Sequence, residues 1–83
     1  DQLARGQRAL RDILSGAVTR AVETGELRAD TDAAQLAFEL FGLILATHHD
    51  LRLLGDAGAP GRALRGMERM LALHQPSPSA ANG

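Results

Sequence analysis

His48, His49 and Asp50 are the residues that first suggest chemistry, because imidazole and carboxylate groups can bind metal ions and transfer protons. Neighbouring residues on a helix point about 100° apart, so the two histidines cannot easily bind one ion. The chain has no cysteine, and no His-x3-His or Glu-x-x-His pair supplies further ligands. We therefore predict no metal site and expect interface or core-edge histidines, with a polar contact to a mostly apolar ligand as the alternative.

Catalysis and nucleic-acid binding also lack the residues that they need. Ser15 lies within a helical pattern and has no base and acid at a suitable spacing, and the chain has no lysine for a Schiff base. Arg5, Arg8 and Arg11 could form a phosphate-binding stripe. However, Asp12 lies four residues after Arg8, no aromatic residue is interleaved, and the formal net charge is −1. We predict a solvated arginine face, no enzymatic activity, no cofactor and no DNA binding by this chain itself.

The elements that carry these residues are predicted to be helices. Of the 83 residues, 45% are hydrophobic, and strong helix formers such as Leu and Ala dominate while only two are aromatic. Asp32, with Gln35 three residues later, is typical of a helix N-terminus, and Gly25 and Gly55 are typical of positions just after a helix. Pro60 suits the first turn of a helix. We expect one all-α domain with helices at residues 2–24, 33–54 and 60–74, followed by a flexible tail at residues 75–83.

The second predicted helix is apolar around most of its circumference, so it needs cover on two sides. One apolar arc begins with Leu36 and Leu40, and a second arc contains Phe38 and Leu45. The first helix can cover only one arc, and the third is itself apolar over about half of its surface. We therefore predict that the last two helices form an antiparallel hairpin, which pairs with a second copy in a four-helix bundle. The predicted dimer interface consists of Phe38, Gly42, Leu45, His49, Leu53, Gly66, Met67, Met70 and Leu73.

The segment from Thr24 to Gly42, TGELRADTDAAQLAFELFG, resembles the C-terminal region of TetR-family transcriptional regulators. The HDLRLLGD segment at 49–56 and the RALRGMERML helix at 62–71 extend the resemblance to most of the chain. It implies a dimeric, ligand-responsive regulator whose last two helices form the dimer bundle. The preceding helix, here residues 2–24, is implied to help wall an effector pocket.

The resemblance makes residues 1–74 an incomplete effector-binding and dimerisation region of a repressor. DNA would then be bound only through an N-terminal helix-turn-helix domain that this sequence does not contain. We expect a small, mostly apolar effector, a cytoplasmic location and no membrane association. The alternative is a helical module that binds another protein without a small-molecule ligand. The predicted ligand-binding residues are Leu10, Leu14, Ala17, Phe41, Ile44 and His48.

Overall fold

The computed structural model describes residues 2–76, and this part of the chain folds into three helices. Helix α1 spans Gln2–Glu23, α2 spans Ala33–Leu53 and α3 spans Ala59–Leu73. Each helix end lies within one residue of its predicted position. No strand occurs within residues 2–76, so the predicted all-α class is confirmed for the described range. The predicted flexible tail lies outside the described residues except for Gln75 and Pro76.

The helix ends follow the local signals in the sequence. The Asp32 side chain accepts a hydrogen bond from the backbone N–H of Gln35 at 3.1 Å, which satisfies one donor that the first turn of α2 leaves unpaired. The Gln35 amide does not return to the cap, because it donates forward to Glu39 at 3.4 Å. Gly25 and Gly55 have φ values of 82° and 63°, a left-handed conformation that glycine adopts without steric cost.

Helix α2 is the central element, and both α1 and α3 pack against it. The core consists of Val18 from α1, Leu36 and Leu40 from α2, and Leu27 from the connection between these helices. Partly buried side chains surround it: Ala21, Val22, Ala33, Met67 and Met70. Since these residues come from the end of α1, the start of α2 and the second half of α3, the core lies at one end of the molecule.

Small residues bring α3 close to α2. A Cβ atom at Gly66 would lie 3.2 Å from Leu43 Cδ1, so the Leu43 side chain would have to shift to accommodate a larger residue there. Ala59 and Ala63 are buried at the start of α3, beside the last turns of α2. At the other end of α3, the His74 carbonyl accepts a hydrogen bond of 2.7 Å from the backbone N–H of Arg28. This bond joins the α1–α2 connection to the end of α3.

Asp56 organises the start of α3, where the capping residue Gly58 has no side chain to offer. One carboxylate oxygen of Asp56 accepts a hydrogen bond from the Gly58 N–H at 2.9 Å, and the other accepts one from Arg62 Nη1 at 2.7 Å. Both donors favour the ionised carboxylate, so the Gly58 N–H first and then the Arg62 guanidinium lower the pKa of Asp56 below 3.8.

The lowered pKa of Asp56 predicts a pH-dependent contribution to stability. This contribution is complete above pH 3.8. It is lost as the pH falls through the lowered pKa of Asp56, because protonation removes the charge that the Gly58 N–H and Arg62 stabilise. Urea unfolding at neutral pH and below 3.8 should show a smaller pH effect for Asp56→Asn than for the native chain. Asp12→Asn is the control, since Asp12 is exposed and forms no ion pair in the described range. An equal change in both variants would contradict the role of Asp56.

Candidate functional site

A cleft of about 300 Å³ lies between the first half of α1 and the second half of α2, and we call it the α1–α2 cleft. The core lies at the opposite end of these helices, so the first half of α1 and the second half of α2 are not joined by core side chains and leave a cleft between them. Its walls are mostly apolar. The lining residues are Gln2, Leu3, Gly6, Gln7 and Leu10 from α1, and Phe41, Ile44, Leu45 and His48 from α2.

A second cleft, of about 310 Å³, lies between α2 and α3 and is called the α2–α3 cleft. Ile44 and His48 line both clefts. The two clefts therefore adjoin along the second half of α2 and together form one trough between α1 and α3. The other residues of the α2–α3 cleft are Thr47, Leu51, Pro60, Ala63 and Met67.

The α1–α2 cleft brings together four of the predicted ligand-binding residues, namely Leu10, Phe41, Ile44 and His48. Leu14 is half-buried outside this cleft, closer to the core end of α1. Ala17 is exposed and lines a separate surface depression with Arg20, because it lies about two turns beyond Leu10, toward the core end of α1. Sequence reasoning missed the lining residues before Leu10, although their signal was present. Leu3 and Gln7 precede Leu10 by seven and three residues, which places all three on one helical face.

The polar groups of the trough are few, and none is a carboxylate. The Thr47 hydroxyl is already used, since it donates to the Leu43 carbonyl at 2.7 Å. His48 Nε2 accepts a hydrogen bond from Arg52 Nε at 3.4 Å, so this ring nitrogen already has a partner. Gln2 and Gln7 supply the remaining polar atoms.

The two adjacent histidines have separate partners, as their directions on the helix require. His49 Nδ1 lies 3.1 Å from an oxygen of Asp50, on an exposed part of the surface, whereas His48 contacts Arg52. Within residues 2–76, no group of three or more His, Asp or Glu side chains could hold a metal ion.

Arg11 connects α1 to both aromatic residues of α2. Its guanidinium carbon lies 5.1 Å from the centre of the Phe41 ring and 5.8 Å from that of Phe38, which are cation–π distances. Phe41 is 4% exposed and lines the α1–α2 cleft, whereas Phe38 is 58% exposed on the outside of α2. The prediction of a solvated arginine face therefore did not include the contact of Arg11 with these two rings. The rings belong to another helix, so no aromatic residue was visible near Arg11 in the sequence.

The face of α2 opposite the core carries an exposed strip formed by Phe38, Gly42, Leu45, His49 and Leu53. These five residues are the predicted dimer-interface residues of α2, and we call them the association strip. Leu45 also lines the edge of the α1–α2 cleft. A Cβ atom added at Gly42 would meet no other atom within 4 Å, so the strip is open at this position.

The predicted interface residues of α3 occupy different environments. Leu73 is 72% exposed. Met67 and Met70 instead pack against the core, and Gly66 lies against Leu43 of the same chain. They point inward because the same face of α3 that carries Ala63 is used to pack against α2.

A comparison with known protein families identifies the chain. The model of a family described as "Tetracyclin repressor-like, C-terminal domain" matches residues 1–67. The chain belongs to this TetR-like family. Domains of this family are helical and belong to dimeric, ligand-responsive transcription regulators, which are generally not enzymes. No curated protein and no solved structure matches the chain.

The match to the TetR-like C-terminal domain includes all of α1 and α2 and the first nine residues of α3, from Ala59 to Met67. Every residue that lines the trough therefore falls within the matched region. Among the helices of the TetR-like domain described here, none is both long enough and apolar enough to cross a membrane.

The unequal burial of the two phenylalanines predicts unequal effects on the stability of the TetR-like domain. Phe41→Leu should lower the free energy of unfolding by about 1–2 kcal/mol, because it leaves unfilled space in a packed site. Phe38→Leu should change it by no more than about 0.5 kcal/mol. Both variants remove one ring contact of Arg11, so the difference between their free energies of unfolding reflects the different burial of Phe41 and Phe38. Urea unfolding followed by circular dichroism measures both values, and equal losses in samples shown to be monomeric by sedimentation would contradict the difference in burial.

Proposed function

We propose that this chain is the effector-sensing and homodimerisation part of a TetR-like transcriptional repressor. A small, mostly apolar ligand modulates DNA binding by an N-terminal helix-turn-helix domain outside this sequence, and the regulator acts in the cytoplasm. One observation carries the proposal: α2 has an apolar trough on one side and the exposed association strip on another.

The trough supports a ligand site. Its surfaces are apolar with a few polar groups, which is the usual composition of small-molecule sites. Each of its two clefts has a volume near the lower end of the range of roughly 300–1,000 Å³ that is common for such sites. A small ligand in contact with Ile44 and His48 would touch α2 along the half that is farthest from the core.

The association strip supports a homodimer. The start of α3 lies beside the end of α2, which supports the antiparallel hairpin that a dimeric four-helix bundle requires. Exposed Phe38 and Leu53 would lose contact with water in such a bundle. Gly42 would allow the two copies of α2 to approach closely, because it has no side chain between them. Leu73 extends the apolar surface at the end of α3.

The position of α2 in both surfaces supplies a mechanism for coupling. Ile44 and His48 line the trough, whereas Gly42 and His49 belong to the association strip on another side of the same helix. A ligand that binds one orientation of α2 more tightly shifts the population toward that orientation. In a dimer this changes the relative positions of the two subunits, and hence the spacing of the DNA-binding domains relative to operator half-sites.

The dimer predicts that Gly42→Glu dissociates the protein without unfolding it. The new side chain meets open space within one chain and replaces a poor helix former. In the bundle it would instead place two carboxylates in contact across the two-fold axis. Sedimentation at tens of micromolar should give a dimer for the native chain and a monomer for Gly42→Glu, with unchanged helicity by circular dichroism. Gly42 is a sharper probe than Leu45, which also lines the ligand cleft.

Ala9→Glu is the matched control for the dimer experiment, since Ala9 is exposed on the side of α1 that faces away from α2. This variant should remain dimeric. A native chain that sediments as a monomer with full helicity contradicts the homodimer and favours the alternative module that binds a different protein. A dimeric Gly42→Glu variant contradicts the position of the interface.

The ligand cleft predicts selective binding of a small apolar probe, and the two isoleucines of the chain report on it. Ile44 lines the cleft, whereas Ile13 is 65% exposed elsewhere on α1. In a methyl NMR titration, 1-octanol should shift the Ile44 resonance to saturation and leave that of Ile13 unchanged. Gly6→Leu should weaken binding by about tenfold, because a side chain at Gly6 fills the cleft without meeting other atoms at its Cβ.

Ala9→Leu is the control for the titration, because it adds the same side chain outside the cleft and should bind 1-octanol like the native chain. An Ile44 resonance that does not respond, or native binding by Gly6→Leu, would contradict a ligand site in this cleft.

A further inference from the structure

We infer that the ligand of the α1–α2 cleft is an amphipathic anion, with an apolar body inside the cleft and a carboxylate bound by Arg11. The inference rests on the proposed function, because it assigns a chemical class to the ligand of the same cleft. It follows from the position of Arg11, its free hydrogen-bonding capacity and the charge of the surrounding residues.

Arg11 is not itself a lining residue of the cleft, but it is next to three residues that are. It follows the lining residue Gln7 by one helical turn and is adjacent to the lining residue Leu10. Its guanidinium group lies over the ring of Phe41, which also lines the cleft. The positive charge is therefore held about one aromatic ring away from the space that the ligand would occupy.

The guanidinium group of Arg11 has capacity for a carboxylate. Its contacts in the described range are with two aromatic rings, which provide neither a carboxylate nor a carbonyl acceptor. Asp12 is next in sequence but points about 100° away on the helix, and the ion pairs of residues 2–76 do not include Arg11. An arginine fork with unused N–H donors can bind a carboxylate through two charge-assisted hydrogen bonds.

The other charges around the cleft favour an anion over a cation. No residue that lines the cleft is acidic, so an ammonium group would find no counterion there and would be repelled by Arg11. Arg52 donates to His48 Nε2 and adds a second positive charge near the far side of the cleft. The polar groups of the lining thus complement a ligand that accepts hydrogen bonds.

The size and surface of the cleft determine the apolar part of the ligand. Leu3, Leu10 and Ile44 offer aliphatic surface within a volume of about 300 Å³. This space suits a short hydrocarbon chain, and the open rim lets its polar end remain partly in water while it contacts Arg11. Octanoate is therefore a suitable probe, with 1-octanol and octylammonium as matched compounds of the same chain length.

The three compounds test the inference through the Ile44 methyl resonance of the full 83-residue chain. Octanoate should bind about tenfold more tightly than 1-octanol, and octylammonium should bind most weakly, because only the carboxylate gains charge-assisted hydrogen bonds. Added salt should reduce this preference, since the pair is exposed at the rim. Arg11→Gln should abolish the difference between octanoate and 1-octanol. Arg11→Lys should retain part of it, because it keeps the charge but loses the fork.

Arg8→Gln is the matched control, since it removes the same charge from an exposed position of α1 that has no ring contact with Phe41 in the described range. It should keep the preference for octanoate. Equal binding of octanoate and 1-octanol to the native chain overturns the inference but does not contradict the proposed ligand site. The inference is also overturned if Arg11→Gln keeps the preference or if Arg8→Gln loses it equally. Failure of all three compounds to shift Ile44 overturns both the inference and the proposed ligand site.

Discussion

The packing of Val18 against Leu36 and Leu40 is the interaction on which the rest of the structure depends. It joins the end of α1 to the start of α2, and the methionines of α3 close around it. At the other end of the helices, large apolar side chains such as those of Leu51, Leu53 and Leu54 are exposed and do not pack together into a second core. Helices α1 and α2 are therefore held together at the core end, and a trough lies at the other end, where Ile44 and His48 line two clefts.

The central position of α2 leaves one helix with two accessible apolar surfaces, the trough and the association strip. Both α1 and α3 pack against α2, and several of its apolar side chains, including Phe38 and Leu53, are left exposed by the part of the chain that the structure describes. A small domain buries a modest fraction of its surface in any case, so association with another molecule adds a large share of the total burial. The shortage of intramolecular cover is thus what makes both a ligand site and an association surface possible on the same helix.

Local signals predicted the elements well because their causes are local. Asp32 caps α2 and Gly25 ends α1 through contacts within a few residues, and these contacts depend little on the rest of the fold. The tertiary contacts were harder to predict from the sequence. Periodicity indicates which residues share a face, but not how far a neighbouring helix is rotated or where along the face it crosses. The contact of Arg11 with Phe41, the inward direction of Met70 and the position of Ala17 outside the cleft all depend on that rotation and crossing.

The hydrogen bond from Arg28 to His74 closes the core end of the molecule by linking the α1–α2 connection to the end of α3. A rotation of the first half of α1 about a point near Val18 would then change the width of the trough. The roughly 16 residues between Val18 and Gln2 span about 24 Å, so a rotation of about 5° moves the beginning of the helix by about 2 Å. Under the proposed function, a rotation of this size would let the trough accommodate ligands of different thickness.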